Sequence, residues 1–576
     1  MLIYLAPGIA FFPKFILNPR TFAVIPFISI SIVVSAQYLL STLNQFSHQN
    51  VVLLICFTLI IALYRLYSAF KDNLFTESNW HAKDYKALLL IVFSSIPLMI
   101  ILGFEGFQHA DEIYSWNMWA KQIYLNQTVT FDSTQSPYPL ALPSLIAFCY
   151  KFLGNTDYQL PIKFSYSIIY ISTIFAIYSF AKTREQIGIF FITYLIVMLI
   201  IGIGFEYKKV YADTLMGGFL TTSLVLIISL SKRRNRINKN ISEISILIAS
   251  ILLICFASLT KQGAMVWAIL PYPLLAYVVI NTNNNLTNYL KALLLIPILT
   301  PFLWYFFGGK DFYQNIDVIN RSMANRDYLE QFFYGFEESF ISNPTLLMFM
   351  VVVFIVLFKK IDFEKTIFLF GIILSTLLLI FFGAYETTRL YLHIILAGWL
   401  LIISYGDDIL SNKFTKVLSK IGRSLYLYAF IGSLFLFWSV NSFYDRIILF
   451  DRISNFLDGR EVQANWIIGE SGAEQYRNII KSKKGLVAQN GHIWGMYYGM
   501  DNFHYKGFGL TDEKIHAMAQ DIINKEIGWM YSYDEQVKIL ENFCPGSVNK
   551  VNTSENLYNQ TLYKISNESL TKCVNK

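Results

Sequence analysis

The stretch "KALLLIVFSSIPLMIILGFEGFQHADEIYSWNMWAKQIY" (Lys86–Tyr124) decides the fold. From Ala87 to Phe104 it carries no charge, a run of about eighteen residues that suits one helical crossing of an about 30 Å hydrocarbon layer. The polar half then brings two adjacent carboxylates, Asp111 and Glu112, into an aromatic-rich helical pattern. Ile113, Trp116, Ala120 and Ile123 share one face of that helix. Trp and Tyr favour the membrane–water interface and Lys121 can snorkel, so an interfacial helix is expected just past the crossing. Asp111 becomes its N-cap or first-turn residue, where free N–H groups and the helix dipole favour a carboxylate.

Outward from this stretch, apolar runs alternate with short polar breaks as far as Val440. The chain has 576 residues, 55% hydrophobic and only 15% charged, whereas a soluble domain carries about a quarter charged residues. Expected spans are 22–42, 51–70, 87–104, 161–181, 186–204, 214–231, 242–258, 264–281, 290–308, 343–358, 366–384, 389–405 and 423–441, about thirteen in all. With that number, Lys14 and Arg20, Lys71, Lys83 and Lys86, Lys182 and Arg184, "KRRNR" (Lys232–Arg236), Lys359 and Lys360, and the cluster from Lys413 to Arg423 all fall on one side. Positive charge favours the cytoplasm, so the N-terminus is expected inside and the C-terminus outside. The formal charge of +7 therefore sets orientation and predicts no nucleic-acid partner. The start, "MLIYLAPGIAFFPKFILNPR", lacks the basic opening and small-residue site of a cleavable leader.

The expected organisation is all-α and polytopic through residue 441, with a pair of spans in 1–86 and the main membrane domain in 87–441. A small soluble α/β or α+β domain follows in 442–576. In that tail "GLVAQNG" and "IGWMYSY" read as buried strands and "LYNQTLYKI" as a closing strand; "GREVQANWIIGES" and "GAEQYRNIIKSKK" read as helical. The segment 137–154 is apolar but interrupted by Pro137, Pro139 and Pro143; as a crossing it would invert every later basic cluster, so it is read as a helix dipping into the outer leaflet. Cys56, Cys149 and Cys255 read as inert packing residues; Cys544 and Cys573 lie in the tail and can pair if it faces an oxidising compartment.

Charges then mark several outward span mouths: Asp111 and Glu112, Asp213 in "GFEYKKVYADTLMGG", and Glu386 with Arg389 in "GAYETTRLYLH". Charged groups gathered on one face suggest a single polar cavity opening outward. The order of these features resembles the GT-C superfamily of membrane glycosyltransferases, nearest to bacterial relatives of the dolichyl-phosphate-mannose protein mannosyltransferases. The matching segments are "HADEIYSWNMWAK" through Asp111, "YPLALP" (Tyr138–Pro143) for a YPPL-like element and "YADTLMGGF" through Asp213. "SLTKQGAMV" (Ser258–Val266) stands for a tKxEG-like element and "TRLYLH" (Thr388–His393) for an RYxxh-like one. Departures are Leu140 in place of a second proline and the absence of an acid after Lys261. The likeness spans roughly residues 87–405.

The resemblance implies sugar transfer from a polyprenyl-phosphate-linked donor to a lipid, glycan or protein acceptor on the outer face of a bacterial inner membrane. A phosphate is already a good leaving group. The reaction therefore needs a carboxylate to take the acceptor's proton and cations to hold the phosphate. A single base opposite the leaving group gives inversion. Asp111 is the expected base, with Glu112 and Asp213 as supporting catalytic carboxylates. Arg389, Lys261 and Lys208, with Tyr138, are expected at the donor phosphate; His109, Glu386 and His393 are expected at other substrate groups. Blander roles compete at each position: cap, span-end solvation, interface anchor. No phosphate loop, HExxH, paired-cysteine motif or histidine cluster occurs, and no cofactor is expected, a divalent cation being the less favoured option. The rival reading is a polysaccharide or lipid-linked oligosaccharide transporter or polymerase, which would favour midplane charges, paired repeats or arginine-rich outward loops.

Overall fold

The computed structural model describes residues 1–72, 79–104, 107, 112–128, 139–156, 159–195, 197, 210–232, 241–261, 268, 270–281, 291–304, 363–381, 392–405, 485–488, 503–506, 512–524, 526–551 and 560–575. The chain divides into two compact units. One is Met1–Phe104 with Asn126–Arg460; the other is Glu105–Leu125 with Glu461–Lys576.

The regular elements described in the first unit are all helices. It opens with α1 (Leu2–Phe11), α2 (Ile25–Thr42), α3 (His48–Lys71) and α4 (Ala82–Phe104). After the break come α6 (Ala141–Leu153), α7 (Gln159–Ser165), α8 (Ser167–Tyr178), α9 (Arg184–Leu195), α10 (Ala212–Ser231) and α11 (Ile241–Ser258). The last four are α12 (Tyr272–Ile280), α13 (Leu295–Trp304), α14 (Phe363–Phe381) and α15 (Leu392–Tyr405). Among the described residues, four helical stretches are long and apolar enough to cross a membrane: Pro19–Thr42, His48–Lys71, Pro161–Tyr178 and Ala212–Ser231. The expected spans at 343–358 and 423–441 lie outside the described residues.

Two helices show opposite solutions to the same composition. On α3, Leu53, Phe57, Ile60, Tyr64, Tyr67 and Phe70 are all exposed and recur at three- and four-residue steps, while Val51, Ile55, Thr58, Ala62 and Ala69 turn inward. An apolar stripe of that length is stable against hydrocarbon and not against water. Helix α10 is buried at every one of its 20 residues, so its apolar surface is met by protein on all sides. It packs on α11, α15, α8 and α2. At Gly218 a Cβ would lie 2.4 Å from the Phe27 ring, so the bare backbone lets α2 approach.

The N-terminal ten residues form a helix that the hydropathy pattern does not announce. α1 packs against α2 and α3. Its Gly8 N–H donates to Ser29 Oγ at 2.8 Å, and a Cβ there would come within 2.7 Å of the Ile25 carbonyl oxygen. Helix α6 also differs from expectation in its surroundings: Ala141 through Lys151 are buried in protein, packed on α2 and α3, and not laid against lipid. Gly154, at φ 80°, ends it in the left-handed conformation that glycine adopts without steric cost. Cys149 and Cys255 are buried as expected, but Cys56 is exposed, on the helix with the outward stripe.

The second unit holds a five-stranded mixed sheet in the order β2-β1-β3-β5-β4, from β1 (Gly485–Ala488), β2 (Phe503–Lys506), β3 (Trp529–Tyr533), β4 (Val548–Lys550) and β5 (Gln560–Ile565). β1 runs parallel to both β2 and β3, and β5 runs antiparallel to β3 and β4. Helices α16 (Asp512–Asn524), α17 (Asp534–Phe543) and α18 (Asn567–Val574) carry apolar faces of Ile515, Met518, Ile522, Val537, Leu540 and Leu570 onto the core. Cys544 and Cys573 are disulfide-bonded, tying the end of α17 to α18. Such a bond persists where the surroundings are oxidising.

The same unit contains the acidic, aromatic-rich part of the stretch 86–124, from Glu105 onward. Glu112–Asn117 form a π-helical turn that runs into α5 (Met118–Asn126). The expected apolar face is present: Trp116, Ala120 and Ile123 are buried. The polar face is not in solvent, however. Glu112, Asn117 and Lys121 are buried too, so Lys121 does not extend into solvent as a snorkelling side chain would.

Candidate active site

The site is built around the N-terminus of α10. Asp213 sits in its first turn, where the unpaired backbone N–H groups and the helix dipole stabilise a carboxylate. The residue before the helix, Tyr211, is fixed from another direction. The Tyr166 hydroxyl, at the junction of α7 and α8, donates to Tyr211 O at 2.7 Å and lies 2.7 Å from Thr214 Oγ1. Tyr166 and Thr214 are both buried, which clamps the first turn of α10 to the entry of α8.

The second charge arrives from the end of α11. Lys261 Nζ donates to Asp213 Oδ1 at 2.6 Å, across 48 residues of sequence. The carboxylate side chain is 4% exposed and the lysine 19%, so the pair sits at the edge of the protein interior. There a charge-assisted hydrogen bond is stronger than it would be in water. An ammonium has three donors and the bond to Asp213 occupies one of them.

Two more of the sequence motifs meet this pair. The N–H of Ala141, in "YPLALP", donates to Leu259 O at 3.2 Å, two residues before Lys261. The other is "TRLYLH", whose last residues open α15; there Leu392 and Leu396 lie 3.5 Å from where a Cβ on Gly217 would be, one turn into α10. His393 is buried at the second position of α15. Four segments far apart in sequence, at 141, 213, 261 and 392, thus converge on the start of one central helix.

His109, Asp111, Tyr138, Lys208, Glu386 and Arg389 lie outside the described residues. Glu112 is described, fully buried, in the second unit. Sequence reasoning did not single out Lys163, which is fully buried on α7 one turn before Tyr166. Its only signal is a cation just after Pro161 at the mouth of an apolar run, a pattern that an ordinary interface anchor shares.

No family model matches the chain, and no curated protein sequence matches it. Among the solved structures similar to it are two of one protein. Both are ArnT from Cupriavidus metallidurans, a GT-C polytopic membrane glycosyltransferase. The structure bound to undecaprenyl phosphate has 11% identity and a TM-score of 0.48, and the match covers 84% of this chain and 98% of that one. The apo structure gives the same identity and TM-score over 85% and 99%. That overlap is too loose for residue roles to be carried from one chain to the other.

Chemically, the paired charges hold each other in place. A carboxylate that already accepts a short bond from an ammonium is suited to aiming that ammonium, and less suited to taking a proton. Lys261, its position set by Asp213 and its side chain partly exposed, is suited to an anionic ligand.

Proposed function

We propose that this chain is an inverting membrane glycosyltransferase that moves a sugar from a polyprenyl-phosphate-linked donor to a lipid or glycan acceptor at the extracytoplasmic surface. The observation that carries the reading is the Asp213–Lys261 pair with two further motif segments packed beside it. In this reading Lys261, with Arg389, holds the donor phosphate and stabilises charge as the glycosidic bond breaks. Asp213 orients Lys261. Asp111 takes the proton of the attacking acceptor hydroxyl, and Glu112 lies beside it in the chain. The undecaprenyl phosphate bound by ArnT is the class of carrier that this arrangement would take. The C-terminal unit is assigned to acceptor binding.

The test is release of polyprenyl phosphate by purified protein given a polyprenyl-phosphate sugar and a glycolipid acceptor. Asp111→Asn should lower turnover by at least about a hundredfold, the usual scale of a lost general base, with an unchanged elution profile. Turnover equal to that of the unmodified chain would remove Asp111 as base. Absence of turnover with every donor of this class, together with substrate movement across vesicles, would favour a transporter.

A further inference from the structure

The opposite end of the first unit holds a polar cavity, which the glycosyl-transfer reading does not use. Helices α8 and α10 both begin at the Asp213 end. The stretch Pro161–Tyr178 has 18 residues and carries the chain about 27 Å before it ends at Ser179. There a cavity of about 320 Å³ is lined by Arg20, His81, Lys83 and Lys182, with Asp84 as the one acidic residue among the described lining residues. The cavity wall is ordered by short contacts. Arg20 Nε donates to Ser179 O at 3.2 Å, Lys83 Nζ to Lys182 O at 2.5 Å, and the Asp84 carboxylate accepts the His81 N–H at 2.8 Å. The Arg20 guanidinium lies 4.3 Å from the centre of the Phe180 ring, and Lys232, from the end of α10, lies 5.3 Å from the same ring.

An interfacial aromatic group and an apolar track adjoin this cavity. The Trp80 ring, whose Nε1 donates to Ile16 O at 2.8 Å, stacks on Tyr85 with centroids 4.7 Å apart. Below it, Tyr85, Leu89 and Phe93 are 54%, 57% and 60% exposed. They follow one another at four-residue steps on α4, forming a stripe that starts beside the cavity and runs along the first half of the helix. Cations at the mouth, an aromatic pair next to them in the chain and an exposed apolar track follow one another from Asn79 to Phe93. A free anion would use only the first of these.

We propose that this surface is a binding site for an anionic glycerophospholipid of the cytoplasmic leaflet, its phosphate in the cavity of Arg20, Lys83 and Lys182 and an acyl chain along Tyr85, Leu89 and Phe93. The proposal stands apart from the transferase reading and needs only that the first unit span a membrane. Native mass spectrometry of the full-length chain in detergent tests it, with phosphatidylglycerol, phosphatidylcholine of the same acyl chains, and glycerol 3-phosphate as probes. Phosphatidylglycerol should be retained about tenfold better than phosphatidylcholine, and the double variant Lys83→Gln, Lys182→Gln should bring the two level. Glycerol 3-phosphate should not compete. Asn79→Asp, which adds a negative charge to the lining and leaves both lysines in place, should give the same loss and decides the matter if the double variant does not fold. Equal retention of the two lipids by the unmodified chain, undiminished retention by the variants, or competition by glycerol 3-phosphate would each overturn the proposal.

Discussion

At the scale of single residues, the Asp213–Lys261 contact makes a test of coupling possible. Removing one partner of a buried ion pair leaves the other uncompensated, at a cost of about 3–5 kcal/mol when burial is complete, and less here because Lys261 is partly exposed. If the pair acts as a unit, Lys261→Met and Asp213→Asn should each lower kcat/KM for the lipid-linked donor by at least about tenfold. The double variant should then be no worse than the poorer single one. Losses that multiply would separate the two residues. Both had been singled out from sequence as span-mouth charges, but their pairing was not legible: hydropathy places each at the outer surface and says nothing of which mouths are neighbours. Lys163 escaped for the converse reason, since a single lysine after Pro161 looks the same in sequence whether it anchors an interface or is buried whole.

At the scale of elements, what could be read and what could not divide along a physical line. The long spans were legible because hydrocarbon thickness imposes a length of about twenty apolar residues, and α2, α3 and α10 fill expected windows. Helix α1 was not, being a ten-residue helix stabilised by its packing on α2 and not by its own length. Its tightest contact gives a second test. Gly8→Val would drive a side chain into the Ile25 carbonyl, which is backbone and cannot rotate away. A loss of about 1–3 kcal/mol is expected, measured as a lowered thermal midpoint in detergent, with Gly154→Ala as a control that perturbs a different element. The aromatic helix α5 was legible in type and apolar face, but not in setting. Amphipathic spacing reports that one face is apolar; it cannot report that Glu112 and Lys121 on the other are also covered. In the tail, β1, β3 and β5 coincide with the apolar runs that mark them as strands. β2, "FHYK", offers no such run, and its place beside β1 is fixed by the parallel sheet.

At the scale of the whole molecule, orientation is the open quantity that experiment can fix directly. With the basic clusters inside, a cysteine at Asp72, exposed just past α3, should be shielded from an impermeant maleimide in intact cells, while one at Gln520, exposed on α16, should react. The reverse pattern would invert the topology and move the proposed chemistry to the other face. The disulfide gives an independent check. Closing the 29-residue separation between Cys544 and Cys573 contributes about 3–4 kcal/mol in the chain-entropy view, so reduction should lower the unfolding midpoint of the C-terminal unit and leave the helical unit unchanged.

The second compact unit also sets an order of assembly. It joins Glu105–Leu125 to Glu461–Lys576, so its earliest part leaves the ribosome roughly 340 residues before the rest, a wait of about 20–70 seconds at ordinary rates of synthesis. Throughout that interval the stretch bearing Asp111 and Glu112 is without the remainder of its unit. A nascent chain stalled before Glu461 should therefore leave that segment open to protease.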